Sequence, residues 1–126
     1  MISSGIELES GLRLTFQDES SHYFGGYFHV RITACCPVPL LRDYFESDAE
    51  FSLAGRMLGP AVNFERSLDK MAVPEAELAV VRSQLMDDFI SSARRYLESS
   101  GFAKGVVLKE YRAGFAAAQK QKIGRY

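Results

Sequence analysis

Residues 74–98, PEAELAVVRSQLMDDFISSARRYLE, decide the fold class. Proline suits the first turn of a helix, where its missing N–H is no loss. Glu75 and Glu77 then sit in the electropositive first turn and Arg94 and Arg95 near the electronegative end. At about 100° per residue, Leu78, Val81, Leu85, Met86, Phe89, Ile90, Ala93, Tyr96 and Leu97 fill roughly half of the helical wheel. So wide an apolar arc describes a helix lying across a sheet, and Ser99, Ser100 and Gly101 end it.

The sheet is sought upstream. From Ile6 to Phe16 the apolar residues keep to even positions, the two-residue period of a strand with one buried face. Ser10-Gly11 interrupts this without shifting the parity, which suits one bent strand or a tight turn. Asp18–Gly26, DESSHYFGG, reads as a hairpin connection. Phe28, Val30, Ile32 and Ala34 then alternate against His29, Arg31, Thr33 and Cys35, so His29 and Arg31 are expected to face solvent, and Cys36-Pro37 is expected to stop the strand. Ser47-x-x-Glu50 has the form of a capping box ahead of Phe51, Ala54, Met57 and Leu58, with Gly59-Pro60 as the stop. Val62, Phe64 and Leu68 mark another half-buried strand, and Val106–Leu108 a short last one.

The sequence therefore predicts a two-layer α+β sandwich. An antiparallel sheet of three or four strands, from 6–17, 27–36, 60–71 and about 105–111, carries the long helix 74–98 across one face, with a short helix near 48–58. Residues 1–112 are expected to form a single domain, and 113–126, AGFAAAQKQKIGRY, a basic tail for which helix and disorder both remain open.

With 126 residues and 47% hydrophobic content the chain has apolar material for one core and needs no disulfide or structural metal to fold. The first ten residues lack the basic start and apolar run of a signal peptide, and no apolar stretch reaches membrane-spanning length. A cytoplasmic location is expected, with no membrane contact. Adjacent cysteines would form a strained disulfide closing almost no loop, so Cys35 and Cys36 read as free thiols. The net charge of −1 hides an asymmetry: residues 1–103 hold 9 basic against 15 acidic side chains, and residues 104–126 hold 6 against 1.

No motif carries chemistry by its spacing. His22, His29, Cys35 and Cys36 lack the spacing of a zinc site, and neighbouring strand residues point to opposite faces, so no metal is expected. His29 and Cys35 are about 20 Å apart along a straight strand, which removes them as a base–nucleophile pair. Asp18, Ser20, Ser21 and His22 are explained by hairpin-loop hydrogen bonding, and Gly25-Gly26 lacks the spacing of a nucleotide-binding fingerprint. Asp18-x-Ser20 resembles the start of the D-x-S-x-x-G element of PilZ cyclic-dinucleotide receptors. Tyr23 stands where that element has glycine, and the upstream arginine pair is missing, so no activity is carried across.

Arg82 falls in the middle of the apolar arc of the long helix. It reads first as a side chain that snorkels or pairs with a carboxylate such as Glu65 or Asp18. The sharper reading makes it the anchor of an anionic ligand between helix and sheet, with Tyr96 or His29 nearby. Tyr23, Phe24 and Tyr27, at the hairpin, form a candidate protein interface. The leading expectation is thus a non-enzymatic interaction or self-association module without a cofactor, a homo-oligomer being one form of it. A small-ligand protein or modest enzyme comes second, and nucleic-acid contact through the basic tail third.

Overall fold

Strand alternation and two glycine turns build the sheet of the computed structural model, which describes residues 5–123. β1 (Ile6–Glu7) pairs antiparallel with β2 (Arg13–Asp18), Ile6 opposite Leu14 and Glu7 opposite Arg13. The turn closes by Leu8 and Gly11 amides donating to the Leu12 and Leu8 carbonyls, and Gly11 takes φ 90°, so Ser10-Gly11 is a hairpin corner rather than a bend.

β3 (Ser21–Phe24) follows, so the stretch read as a connection is itself largely strand. As far as His22, β2 and β3 keep one register against β4 (Tyr27–Pro39): Thr15 faces Cys35, Asp18 faces Ile32 and Ser21 faces His29; the register then shifts, and Phe24 faces Tyr27. Between them the Ser20 hydroxyl accepts from the Arg31 amide, taking the place of a ladder carbonyl. The turn proper is Gly25-Gly26, with Gly25 at φ 56°. β4 runs past Cys36-Pro37 to Pro39, contrary to the expected stop. β5 (Ala61–Pro74) pairs with β4. The Leu40 amide donates to the Pro60 carbonyl at one end of this pairing, and the Glu75 amide to the Gly26 carbonyl at the other.

The chain divides into two compact units, Met1–Cys36 with Phe64–Ser99, and Pro37–Asn63 with Ser100–Tyr126. In the first, the even positions of the sheet, Leu14, Phe16, Val30, Ile32 and Ala34, are buried. α2 (Leu78–Leu97) crosses that face after a short 3-10 turn. The Phe89 ring meets Phe16 edge-on with centroids 6.2 Å apart. This is the expected two-layer α+β arrangement, an antiparallel sheet carrying a long helix.

In the second unit, α1 (Asp48–Leu58) starts at Ser47, whose hydroxyl oxygen accepts from the Glu50 amide at 3.1 Å. The Glu50 carboxylate reaches back to the Glu46 amide at 3.3 Å, one residue earlier than the usual box. Gly59, at φ 82°, ends the helix. α3 (Phe102–Ile123) corrects the sequence reading: the strand expected at about 105–111 is helix. Three consecutive apolar residues, Val106–Leu108, fit a buried helical turn as well as a strand, and the alanines beyond extend the helix to Ile123, into the expected tail. Its buried residues, Phe102 and Val107, join Val38, Leu40, Phe45, Ala54 and Val62 in the core of this unit. No helix among the described residues is long and apolar enough to cross a membrane.

Candidate functional site

The hairpin joining β3 to β4 carries the most exposed cluster of aromatic side chains. Tyr23, Phe24 and Tyr27 are 56%, 64% and 49% exposed. The hairpin is braced from within: His22 Nε2 bonds the Gly25 carbonyl, and its ring meets Phe28 edge-on at 5.3 Å. All four β3 residues are exposed, and none of the described strands pairs with the second edge of β3. That edge, Ser21-His22-Tyr23-Phe24, holds no formal charge apart from what His22 can carry. β5 is also free on one side, but it presents Glu65, Arg66, Asp69 and Lys70 and is kinked at Ala72, whose φ is 56°. Charges of this kind protect a sheet edge from pairing, and β3 lacks them, although its own pairing with β4 shifts register between His22 and Phe24.

Arg82 meets Asp18. Its Nε is 2.7 Å from Asp18 Oδ2, with side chains 28% and 13% exposed. The Nε–H makes no aligned hydrogen bond, so the contact is Coulombic. Burial acts to raise the Asp18 pKa, but the Ser20 hydroxyl and amide, the latter 2.9 Å from Oδ1, together with the Arg82 charge outweigh it and hold the carboxyl below its ordinary value. Arg82 is thus matched by a carboxylate of the chain itself. His29, half-buried rather than solvent-facing, pairs with Asp69 at 3.1 Å. Tyr96, 53% exposed, packs near Phe64 with centroids 6.3 Å apart. It lies fourteen residues along α2 from Arg82, about 21 Å of helix. Arg82, His29 and Tyr96 therefore stand at three separate places, whereas Tyr23, Phe24 and Tyr27 share one.

Cys35 and Cys36 are both buried. The Cys35 thiol donates to Glu65 Oε2 at 3.7 Å, and burial pushes the Cys36 pKa up, away from the thiolate a nucleophile requires. Among the described residues no group of three or more His, Cys, Asp or Glu is placed to share a metal ion.

The second unit holds a cleft that the sequence reading missed. It has a volume of about 520 Å³ and is lined by Tyr44, Glu46 and Glu50 on one side and by Lys104, Leu108, Tyr111 and Arg112 of α3 on the other. Such a volume is within the range of small-molecule sites. Tyr111 is fixed by the buried Phe45, edge-on at 5.6 Å, and Phe45 in turn packs on Phe51 at 5.8 Å. A signal was present in the sequence: positions 104, 108, 111 and 112 recur at helical spacing. Reading 105–111 as a strand placed them on alternate faces and hid it. Of the basic residues on which the nucleic-acid reading rested, Lys104, Lys109 and Arg112 are exposed on α3, and the side chains of Lys120, Lys122 and Arg125 lie outside those described.

The fold and surface thus define a small α+β protein with an exposed aromatic sheet edge that holds no acidic or basic residue. No protein-family model matches the chain, and neither a curated protein nor a solved structure matches it.

Proposed function

We propose that the protein is an interaction module whose contact surface is the end of the β3–β4 hairpin. One observation carries this reading: the free edge of β3 holds no acidic or basic residue and is flanked by three exposed aromatic rings, while the free edge of β5 is charged. The occupant that fits is an extended protein segment adding as a further strand, with apolar side chains against Tyr23, Phe24 and Tyr27. Backbone hydrogen bonds would supply affinity along the edge. Covering each ring is worth roughly 2 kcal/mol at about 25 cal/mol per Å². The bracing by His22 and Phe28 lowers the entropy lost when the rings are fixed in a complex.

The test is light scattering together with affinity capture from lysate, comparing the native chain with the double variant Tyr23→Ser, Phe24→Ser and with Tyr23→Lys. Both changes are at exposed positions, so the variants should keep native circular dichroism. Loss of self-association or of the captured protein in both supports the reading. Association unchanged in the two variants rejects it. Light scattering separates a second copy of the chain from a different partner.

A further inference from the structure

We infer that the cleft of the second unit binds a short zwitterionic peptide of about two or three residues. Its ammonium group would lie toward Glu46 and Glu50, its carboxylate toward Lys104 and Arg112, and its body on Tyr111 and Leu108. This goes beyond the hairpin interface and rests on different residues.

Four observations support it. The cleft has ligand size, and its floor is preorganised because Tyr111 is pinned by Phe45. Its charges are segregated, acidic on the Glu46–Glu50 side and basic on α3. Those charges also make no ion pair: among the described residues Lys104, Arg112 and Glu46 have none, and Glu50, which accepts from the Glu46 amide, has none either, although other charged side chains of the unit, such as Arg42 and Asp48, do pair. Finally, Lys104 is the third residue of α3, whose first turn holds no acidic residue. A cation there opposes the positive end of the helix, so it costs the fold stability. The same arrangement adds the helix end to Lys104 as an attractor for a carboxylate.

Charge segregation selects the ligand class. A simple dianion would gain from Lys104 and Arg112 but meet Glu46 and Glu50, and a dication the reverse. A molecule with both charges, separated by a body long enough to reach both walls, satisfies each side. Peptide backbone separates its terminal charges by about 3.3–3.6 Å more per residue, which a free amino acid lacks. Tyr44, Leu108 and Tyr111 then offer ring and aliphatic surface to the side chains of the peptide.

The experiment is a titration of the ¹⁵N-labelled full chain, followed by amide chemical shifts, with three probes: the dipeptide Leu-Phe, its N-acetylated and C-amidated form, and benzoate. Expected are saturable shifts confined to residues 44–50 and 104–112 with free Leu-Phe, weakened at least tenfold by blocking the termini and at least tenfold in the double variant Lys104→Gln, Arg112→Gln. Benzoate should bind at least tenfold more weakly than Leu-Phe. Failure of free Leu-Phe to shift these amides overturns the inference, as does equal binding of the blocked peptide or benzoate, or binding indifferent to the double variant. Both substituted residues are exposed, and a dispersed amide spectrum of the variant certifies its fold.

Discussion

Arg82 on one side, and Lys104 and Arg112 on the other, are cations on helices with opposite circumstances. Arg82 lies on the apolar face of α2, largely buried, 2.7 Å from a carboxylate that Ser20 also holds. Lys104 and Arg112 are exposed at the rim of a cleft and pair with nothing among the described residues. A charge matched inside the chain is explained by the fold, since leaving either partner alone would be costly. A set of unmatched charges around a concavity is not explained in that way, and the inferred peptide is what would match them. Substitution should separate the two cases.

The largest effect is expected at Arg82. Arg82→Ala leaves Asp18 with less compensation in a site where it is 13% exposed, and unfolding in urea should show a loss of about 2–3 kcal/mol. Arg82→Lys, which keeps the charge but not the planar fork, should lose less. If Arg82→Ala unfolds at the native midpoint, the pair is no part of the core and the contrast with α3 fails.

Acid should act on the same pair. The Asp18 pKa in the fold is below its ordinary value of 3.8, so its contribution to stability is complete above about 3.8 and is lost as pH falls through the lower folded value. Stability followed by urea titration should therefore drop below pH 3.8, and in Asp18→Asn the drop should be shallower. An unchanged profile in that variant would assign acid sensitivity to other carboxylates.

How far these sites were legible follows from how much of each signal is local. The arc of α2 and the parity of β2 and β4 are periodic over many residues, and Arg82 stood out because it broke such a pattern. Asp18 was one of two partners named for it, and register decides between them: Asp18 faces Ile32, on the face that α2 covers. By contrast, Val106–Leu108 is an apolar run too short to separate strand from helix. Tertiary packing settles it, with Phe102 and Val107 buried and Tyr111 edge-on to Phe45. The cleft was lost with α3, because its residues form one face only in a helix. The exposed hairpin, whose aromatic residues adjoin two glycines, needed no long-range packing to be seen.

Ser47→Ala tests the acidic wall of the cleft at an intermediate scale. The Ser47 hydroxyl accepts from Glu50, so its loss frees the first turn of α1 and should cost about 1 kcal/mol. Because that turn carries Glu50, whose carboxylate also holds the Glu46 amide, the variant should also weaken Leu-Phe binding without touching the basic residues. A Ser47→Ala protein as stable as the native one would mean that the Glu50 carboxylate, bonded to the Glu46 amide, caps the helix alone.

The smallest effect carries the sharpest sign. If Lys104 were retained for stability, its removal would destabilise. Placed third in α3, without an acidic neighbour in the first turn and without an ion pair among the described residues, it should do the opposite. Neutralising a cation at the positive helix end returns about 0.3 kcal/mol, and more at low salt because the interaction is screened. Lys104→Gln should therefore be slightly more stable than the native chain in urea at low ionic strength, with the gain shrinking as salt is added. Arg112→Gln, eight residues further along, is beyond the reach of that end and should leave stability unchanged within about 0.5 kcal/mol. A residue whose removal stabilises the fold while abolishing peptide binding is retained for the ligand. One whose removal destabilises belongs, like Arg82, to the structure.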